Sequence, residues 1–168
     1  LFDLSLTSQA NWVQEMSKGE CGRVDWLPWY GQVYEAGPFS ERGRGMSFVG
    51  RVTEHRPVRM WFVELLKDQF SLEHLEGLSA KEFMAVYADS RLVPNESILG
   101  EINFRLFEAA SCGCLVLNQA QEDLHRLFSI GEEVVVFEDS LELMSLSRYY
   151  LDNPQLAQSM GRAAQLRI

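Results

Sequence analysis

The stretch "SILGEINFRLFEAASCGCLVLN", residues 97–118, sets two glutamates and an arginine among phenylalanines and alanines. At 100° per residue, Glu101, Arg105, Glu108 and Cys112 fall within about 40° of a common line, and Ile102, Phe104, Leu106, Phe107, Ala109 and Ala110 cover the remaining circumference. Two readings are open. Either the stripe is solvated, with Glu101–Arg105 and Arg105–Glu108 pairs contributing only ~0.2–0.5 kcal/mol each, or a narrow polar line on a helix wrapped in protein serves chemistry.

A second group of residues bears on that choice. The formal net charge is −9, which argues against a nucleic-acid or anionic-membrane surface. Yet Arg42, Arg44, Arg51, Arg56 and Arg59 place a third of the 15 Lys and Arg in one short stretch. An acidic chain with one basic pocket suggests a small anionic ligand.

The three cysteines, Cys21, Cys112 and Cys114, are an odd count, which speaks against a disulfide framework and for a reducing, cytoplasmic compartment. Neither "CGC" nor the scattered His55, His74 and His125 has zinc-site spacing, and all six are assigned to structure. No Asp-x-Asp triplet or carboxylate cluster offers a cation site, so no metal and no cofactor is expected. No apolar run reaches the roughly 18 residues of a membrane helix, and no signal-peptide pattern opens the chain. A start at Leu1 and an end inside a helical pattern suggest a piece of a longer protein.

The positioning elements follow from periodicity and punctuation. "LFDLSLTS" and "GRVDWLPWY" read as extended segments around a helix ending near Gly19, and "EAGPFSERGRG" reads as a linker. "MSFVGR" is a short strand running into Gly50, and Pro57 opens the helix "PVRMWFVELLKDQF". "SLEHLEGL" is a weak strand. "SAKEFMAVYADS" is a helix with a Ser79–Glu82 capping box, and "RLVPN" is a buried strand. The opening helix ends at Gly113 in a left-handed cap, before the strand "CLVLN". "QEDLHRLFSI" and "EEVVVFED" give a further helix and strand, and two helices, residues 140–153 and 154–168, close the chain. Strands alternating with helices predict an α/β fold with a Rossmann-like parallel sheet flanked by helices, its ligand at the carboxyl ends of the strands.

"FVGR…R" (residues 48–56), "YADSRLVPNES" (87–97), "GEINFRLFEAASCGCLVLN" (100–118), "GEEVVVFEDSLEL" (131–143) and "YYLDNPQLAQSMGRAA" (149–164), in that order, resemble the donor-binding, C-terminal half of GT-B glycosyltransferases. Within the group-1 transferases the likeness is to the CgeB-like, spore maturation protein type. The resemblance implies a domain at residues 46–168 that binds a nucleotide-sugar or nucleoside diphosphate, preceded at 1–45 by the end of an acceptor domain and the crossover between domains. It implies catalytic positions at Arg51, Arg56 and Glu101, and donor-binding positions at Gly50, Asn95, Gly100, Asn103, Arg105 and Glu108. Arg51 and Arg56 keep the spacing of the family's two diphosphate-directed cations, and Glu108 matches the later of its two paired glutamates, which accepts hydrogen bonds from ribose. The earlier glutamate position falls on Gly100, with Glu101 one residue late, so Asn103 and Arg105 are expected to substitute. An epimerase of the same fold and a degenerate interaction domain are the alternatives.

Overall fold

The computed structural model describes residues 3–19, 22–97 and 100–168; Cys21 lies outside them. Two sheets form. The small one pairs β1 (Leu4–Thr7) with β2 (Arg23–Trp26) in parallel across α1 (Ala10–Met16). The larger has five parallel strands, β3 (Arg44–Val49), β4 (Glu73–Leu75), β5 (Ser90–Asn95), β6 (Leu115–Gln119) and β7 (Val135–Phe137), in the order β4-β3-β5-β6-β7.

The sheet is covered on both faces, which is why its strands are apolar at successive positions rather than at every second one. Leu92, Leu115 and Leu117 point into one cluster with Phe62, Val63 and Leu66 of α2 (Pro57–Phe70) and Leu143 of α5 (Ser140–Asp152). Their neighbours Val93 and Val116 point into the other, with Tyr87 of α3 (Ala80–Ala88) and Leu106, Phe107, Ala109 and Ala110 of α4 (Phe104–Ser111). The last helix, α6 (Pro154–Arg167), gives Ala157 and Met160 to the first cluster and Ala164 to the second. It sits so close to the turn after α4 that a Cβ on Gly161 would lie 2.5 Å from the Gly113 carbonyl oxygen.

Local signals hold where they are backbone chemistry. Pro57 is the first residue of α2, Glu82 accepts the Ser79 N–H at 2.8 Å, and Gly113 takes φ +67°. Three expectations are corrected. Residues 121–130 give only a 3-10 turn at Leu124–Arg126, because Leu124 and Phe128 bury against α4 while Glu133 folds back to accept the Ser129 N–H at 2.7 Å. The linker candidate is partly built in. Phe39 belongs to the core, and Arg42 is buried at 8% exposure with its guanidinium donating to the carbonyls of Ser90 and Cys112, both at 2.7 Å.

The third correction concerns the opening motif. The helix starts at Phe104, so Glu101 precedes it and does not continue its polar stripe by i,i+4 spacing. Gly100 turns the chain at φ +77°, and the Gln9 side chain then holds both polar groups of Ile102, donating to its carbonyl at 3.0 Å and accepting its N–H at 3.1 Å. A helical wheel cannot register such a contact between residues 93 positions apart.

Candidate functional site

Consecutive strands β4 and β5 lie on opposite sides of β3, so the strand order reverses there and opens a crevice at the carboxyl ends of β3 and β5. Phe48, next to last in β3, forms its floor. The Arg105 guanidinium stacks over the Phe48 ring at 4.4 Å and that of Arg59, from α2, at 5.6 Å.

Each guanidinium is fixed by its remaining donors. Arg105 donates from Nε to the Val49 carbonyl at 3.1 Å and from Nη1 to Oδ1 of Asn95 at 2.9 Å. Its Nη2 has no acceptor among the described residues and lies beside Gly50, where a Cβ would come within 2.7 Å of it at a backbone φ of +153°. Only glycine fits both constraints. Burial, with Arg59 adding, holds the Arg105 guanidinium below its ordinary pKa, although a guanidinium stays protonated at any physiological pH. Arg59 forms a buried pair with Glu96, Nε and Nη2 lying 2.7 and 2.6 Å from Oε2, and its Nη1 reaches the Arg51 carbonyl at 3.3 Å.

Below this layer a row of amides ties the strand ends together. Asn95 and Asn118 face each other in register across β5 and β6, with Asn95 Nδ2 donating to Asn118 Oδ1 at 2.7 Å. Asn118 continues to Gln121 at 3.0 Å, and Gln121 donates to the Glu101 carbonyl. Asn103, the N-cap of α4, donates to the Glu96 carbonyl at 3.2 Å, while its own Oδ1 is buried without a partner among the described residues. The first turn of α4 carries no acidic residue and no side-chain cap, which leaves its amides for an anion.

Thus Gly50, Asn95, Asn103 and Arg105 gather at one crevice. Arg51 and Arg56 lie on the loop that leaves β3, Arg51 exposed and Arg56 half-buried at the start of α2. Gly100 and Glu101 line an adjoining cleft of about 450 Å³ with Trp12, Trp29 and Phe104, and the Glu101 carboxylate accepts from the Ser97 hydroxyl at 2.6 Å. Glu108, three residues on from Arg105 along α4, lines a groove of about 480 Å³ between α4, Met84 and the segment 30–34. It is half-buried and accepts no hydrogen bond from the described residues; burial pushes its carboxyl up in pKa, and Arg105 partly opposes this.

The single basic pocket is not formed. Arg42 and Arg44 sit at the far end of the sheet, where Arg44 pairs with Asp89 and with Glu73 at 2.6 Å. A cavity of about 680 Å³ at that end is lined by Arg42, whose Nη1 and Nη2 are occupied by carbonyls while its Nε is buried without a partner among the described residues, and by Arg162 and Gln165, which bond each other at 2.6 Å. The sequence reading missed Glu96, Phe48, Asn118 and Gln121, and it named Arg59 only as one charge of five. One signal was available: "RLVPN" and "CLVLN" both end in asparagine, which places Asn95 and Asn118 at equivalent strand ends.

Comparison with known proteins agrees with the fold. A family model described as glycosyl transferase-like matches residues 42–168. No curated protein matches the sequence significantly. Among solved structures, the chain is similar to sucrose-phosphate synthase from Thermosynechococcus elongatus, with a TM-score of 0.71 and 13% identity over 99% of this chain and 53% of that one. It is similar to TarM of S. aureus, with a TM-score of 0.71 and 9% identity over 98% and 39%. It is also similar to Anabaena HepE in complex with UDP-glucose, with a TM-score of 0.68 and 13% identity over 98% and 58%. The chain therefore spans between 39% and 58% of the length of these structures. With most of its residues inside the family match and the fold of a GT-B glycosyltransferase domain, the chain belongs to the glycosyl transferase-like family.

Proposed function

We propose that the chain is the donor-binding part of a CgeB-like, cytoplasmic glycosyltransferase that moves a sugar from a nucleotide-sugar to an acceptor. The observation that carries this reading is the convergence of Arg59 and Arg105 on Phe48 at the reversal of strand order, beside the uncapped start of α4. In sugar transfer the bond from the anomeric carbon to the diphosphate oxygen breaks and its electron pair stays on the diphosphate. Fixed guanidiniums and amides meet that charge without reorganising. Arg51 and Arg56 on the loop that leaves β3, and Arg105 at the base of the crevice, supply the charge that other enzymes draw from a metal ion, so the reading includes none.

In this proposal residues 46–168 bind the donor and residues 1–45 belong to the acceptor side and the crossover. Glu101, in the cleft between the two, stands nearest the sugar. Gly50, Asn95, Gly100 and Asn103 shape the phosphate end. The UDP-glucose named for the HepE structure supports a donor of this class. The free, buried Cys112 and Cys114 suit a reducing compartment.

Glu108 is assigned to the ribose hydroxyls, since it is a half-buried carboxylate with no donor of its own. Glu108→Gln is expected to keep the fold and to cost about 1.5–3 kcal/mol of ribonucleotide affinity, the range for hydrogen bonds to a charged group. Preference for ribose over 2′-deoxyribose should vanish with it. Because burial raises the carboxyl's pKa, the wild-type preference should also fade on acidification sooner than an exposed carboxylate would allow. Calorimetric titration of both proteins with UDP and 2′-deoxy-UDP measures these effects; unchanged affinity and preference in the variant would remove Glu108 from the site.

A further inference from the structure

His74 lies on the edge strand β4, with a side chain only 11% exposed, and the diphosphate reading above gives it no task. Both of its ring nitrogens are nevertheless engaged. Nδ1 is 3.3 Å from the Lys67 ammonium, and Nε2 is 2.9 Å from the Gly50 carbonyl oxygen. An ammonium can only donate, so Nδ1 accepts, and the ring hydrogen sits on Nε2 and is donated to Gly50. The ring leans on Phe48, centroids 5.9 Å apart, and the Glu76 carboxylate lies 3.6 Å from Nε2.

This chain of contacts decides where the next amide points. The Gly50 N–H already donates to the Leu75 carbonyl at 3.0 Å, so both backbone groups of Gly50 are spent toward β4. A trans peptide directs its N–H opposite to its C=O, and no cis peptide is present among the described residues. The Arg51 N–H therefore faces away from β4. On that side stand Asn95, Glu96 and the Arg105 guanidinium, and the Arg51 N–H has no acceptor among the described residues. Without a restraint on its carbonyl, a glycine at φ +153° could turn this peptide over at little expense.

We infer that the Arg51 amide is a phosphate-oxygen donor in the crevice, and that His74, buttressed by Lys67, is the positioning residue that aims it. The inference rests on the donor-binding reading and adds to it a backbone subsite and a residue on the edge strand. His74 touches no ligand; it acts through the Gly50–Arg51 peptide.

The test titrates UDP and uridine into wild type, His74→Ala and His74→Gln. The alanine variant is expected to weaken UDP binding at least tenfold and to leave uridine binding unchanged, because only the phosphate end loses a donor. Glutamine, whose carboxamide N–H reaches about as far as Nε2, should restore most of the UDP affinity. If His74→Ala does not fold, Lys67→Met, at an exposed position, should give the same split more weakly. In addition, nitrogen NMR of the unliganded protein should find His74 as the Nε2–H tautomer. UDP affinity within twofold of wild type in His74→Ala, equal losses for UDP and uridine, or an Nδ1–H tautomer would each overturn the inference and leave the donor-binding reading standing. A wild type that binds no nucleoside diphosphate would remove both.

Discussion

Replacing Glu96 with alanine is expected to destabilise the fold by about 3–5 kcal/mol, since it leaves the Arg59 guanidinium buried without its counter-charge. The side chains of the pair are 5% and 7% exposed, so solvent cannot substitute for the lost carboxylate. The pair also ties α2 to the segment after β5, and through the Arg51 carbonyl to the loop between β3 and α2. For a domain of this size that loss lowers the melting temperature by roughly 6–20 °C. The double variant Arg59→Met/Glu96→Leu removes both charges at once and should recover most of the stability, because a buried pair repays little more than its own desolvation. Urea melts of the wild type, the single and the double variant separate the effects. A Glu96→Ala protein as stable as wild type would mean that Arg59 finds water or another acceptor, and that the crevice is looser than described.

Arg105→Ala is the second large effect, and it falls on binding. The guanidinium stacks on Phe48, satisfies Val49 and Asn95, and presents Nη2 beside Gly50. Its removal takes a fixed charge from the crevice and leaves Asn95 Oδ1 without its donor. Charge-assisted hydrogen bonds contribute about 1.5–3 kcal/mol each, so nucleoside diphosphate affinity should fall about 100-fold or more while nucleoside affinity changes little. Arg105→Lys should not rescue it, since an ammonium cannot hold the Val49 carbonyl, the Asn95 amide and a ligand oxygen with one planar fork. Calorimetry on the three proteins provides the comparison. Rescue by lysine would show that charge alone, without the fork geometry, carries the site.

The sheet was legible because its information is local. Short apolar runs bounded by Gly50, Asn95 and Asn118 are what a strand buried on both faces must look like, and Pro57, Ser79 with Glu82, and Gly113 act on the backbone within one turn of themselves. The site was legible only as a set of residue types. Gly50, Asn95, Asn103 and Arg105 were expected and stand together, but the reason for each is a partner far along the chain, such as Val49 for Arg105, 56 positions apart. The same distance hid the error at Glu101. Its spacing from Arg105 suits a helix, while the register was decided by Gln9. The five arginines were read as one pocket because they are close in sequence, yet β3 carries the chain from one end of the sheet to the other between Arg44 and Arg51, and so divides them.

The central claim is that this chain binds a nucleoside diphosphate at the carboxyl ends of β3 and β5. Its most direct measurement is a UDP titration followed through the backbone amide NMR signals. The account predicts saturable shifts centred on residues 50–56, 95–97 and 103–108, with the far cavity around Arg42, Gly113 and Arg162 unaffected. Absence of any saturable shift with UDP or another nucleoside diphosphate, or shifts confined to that far cavity, would contradict it.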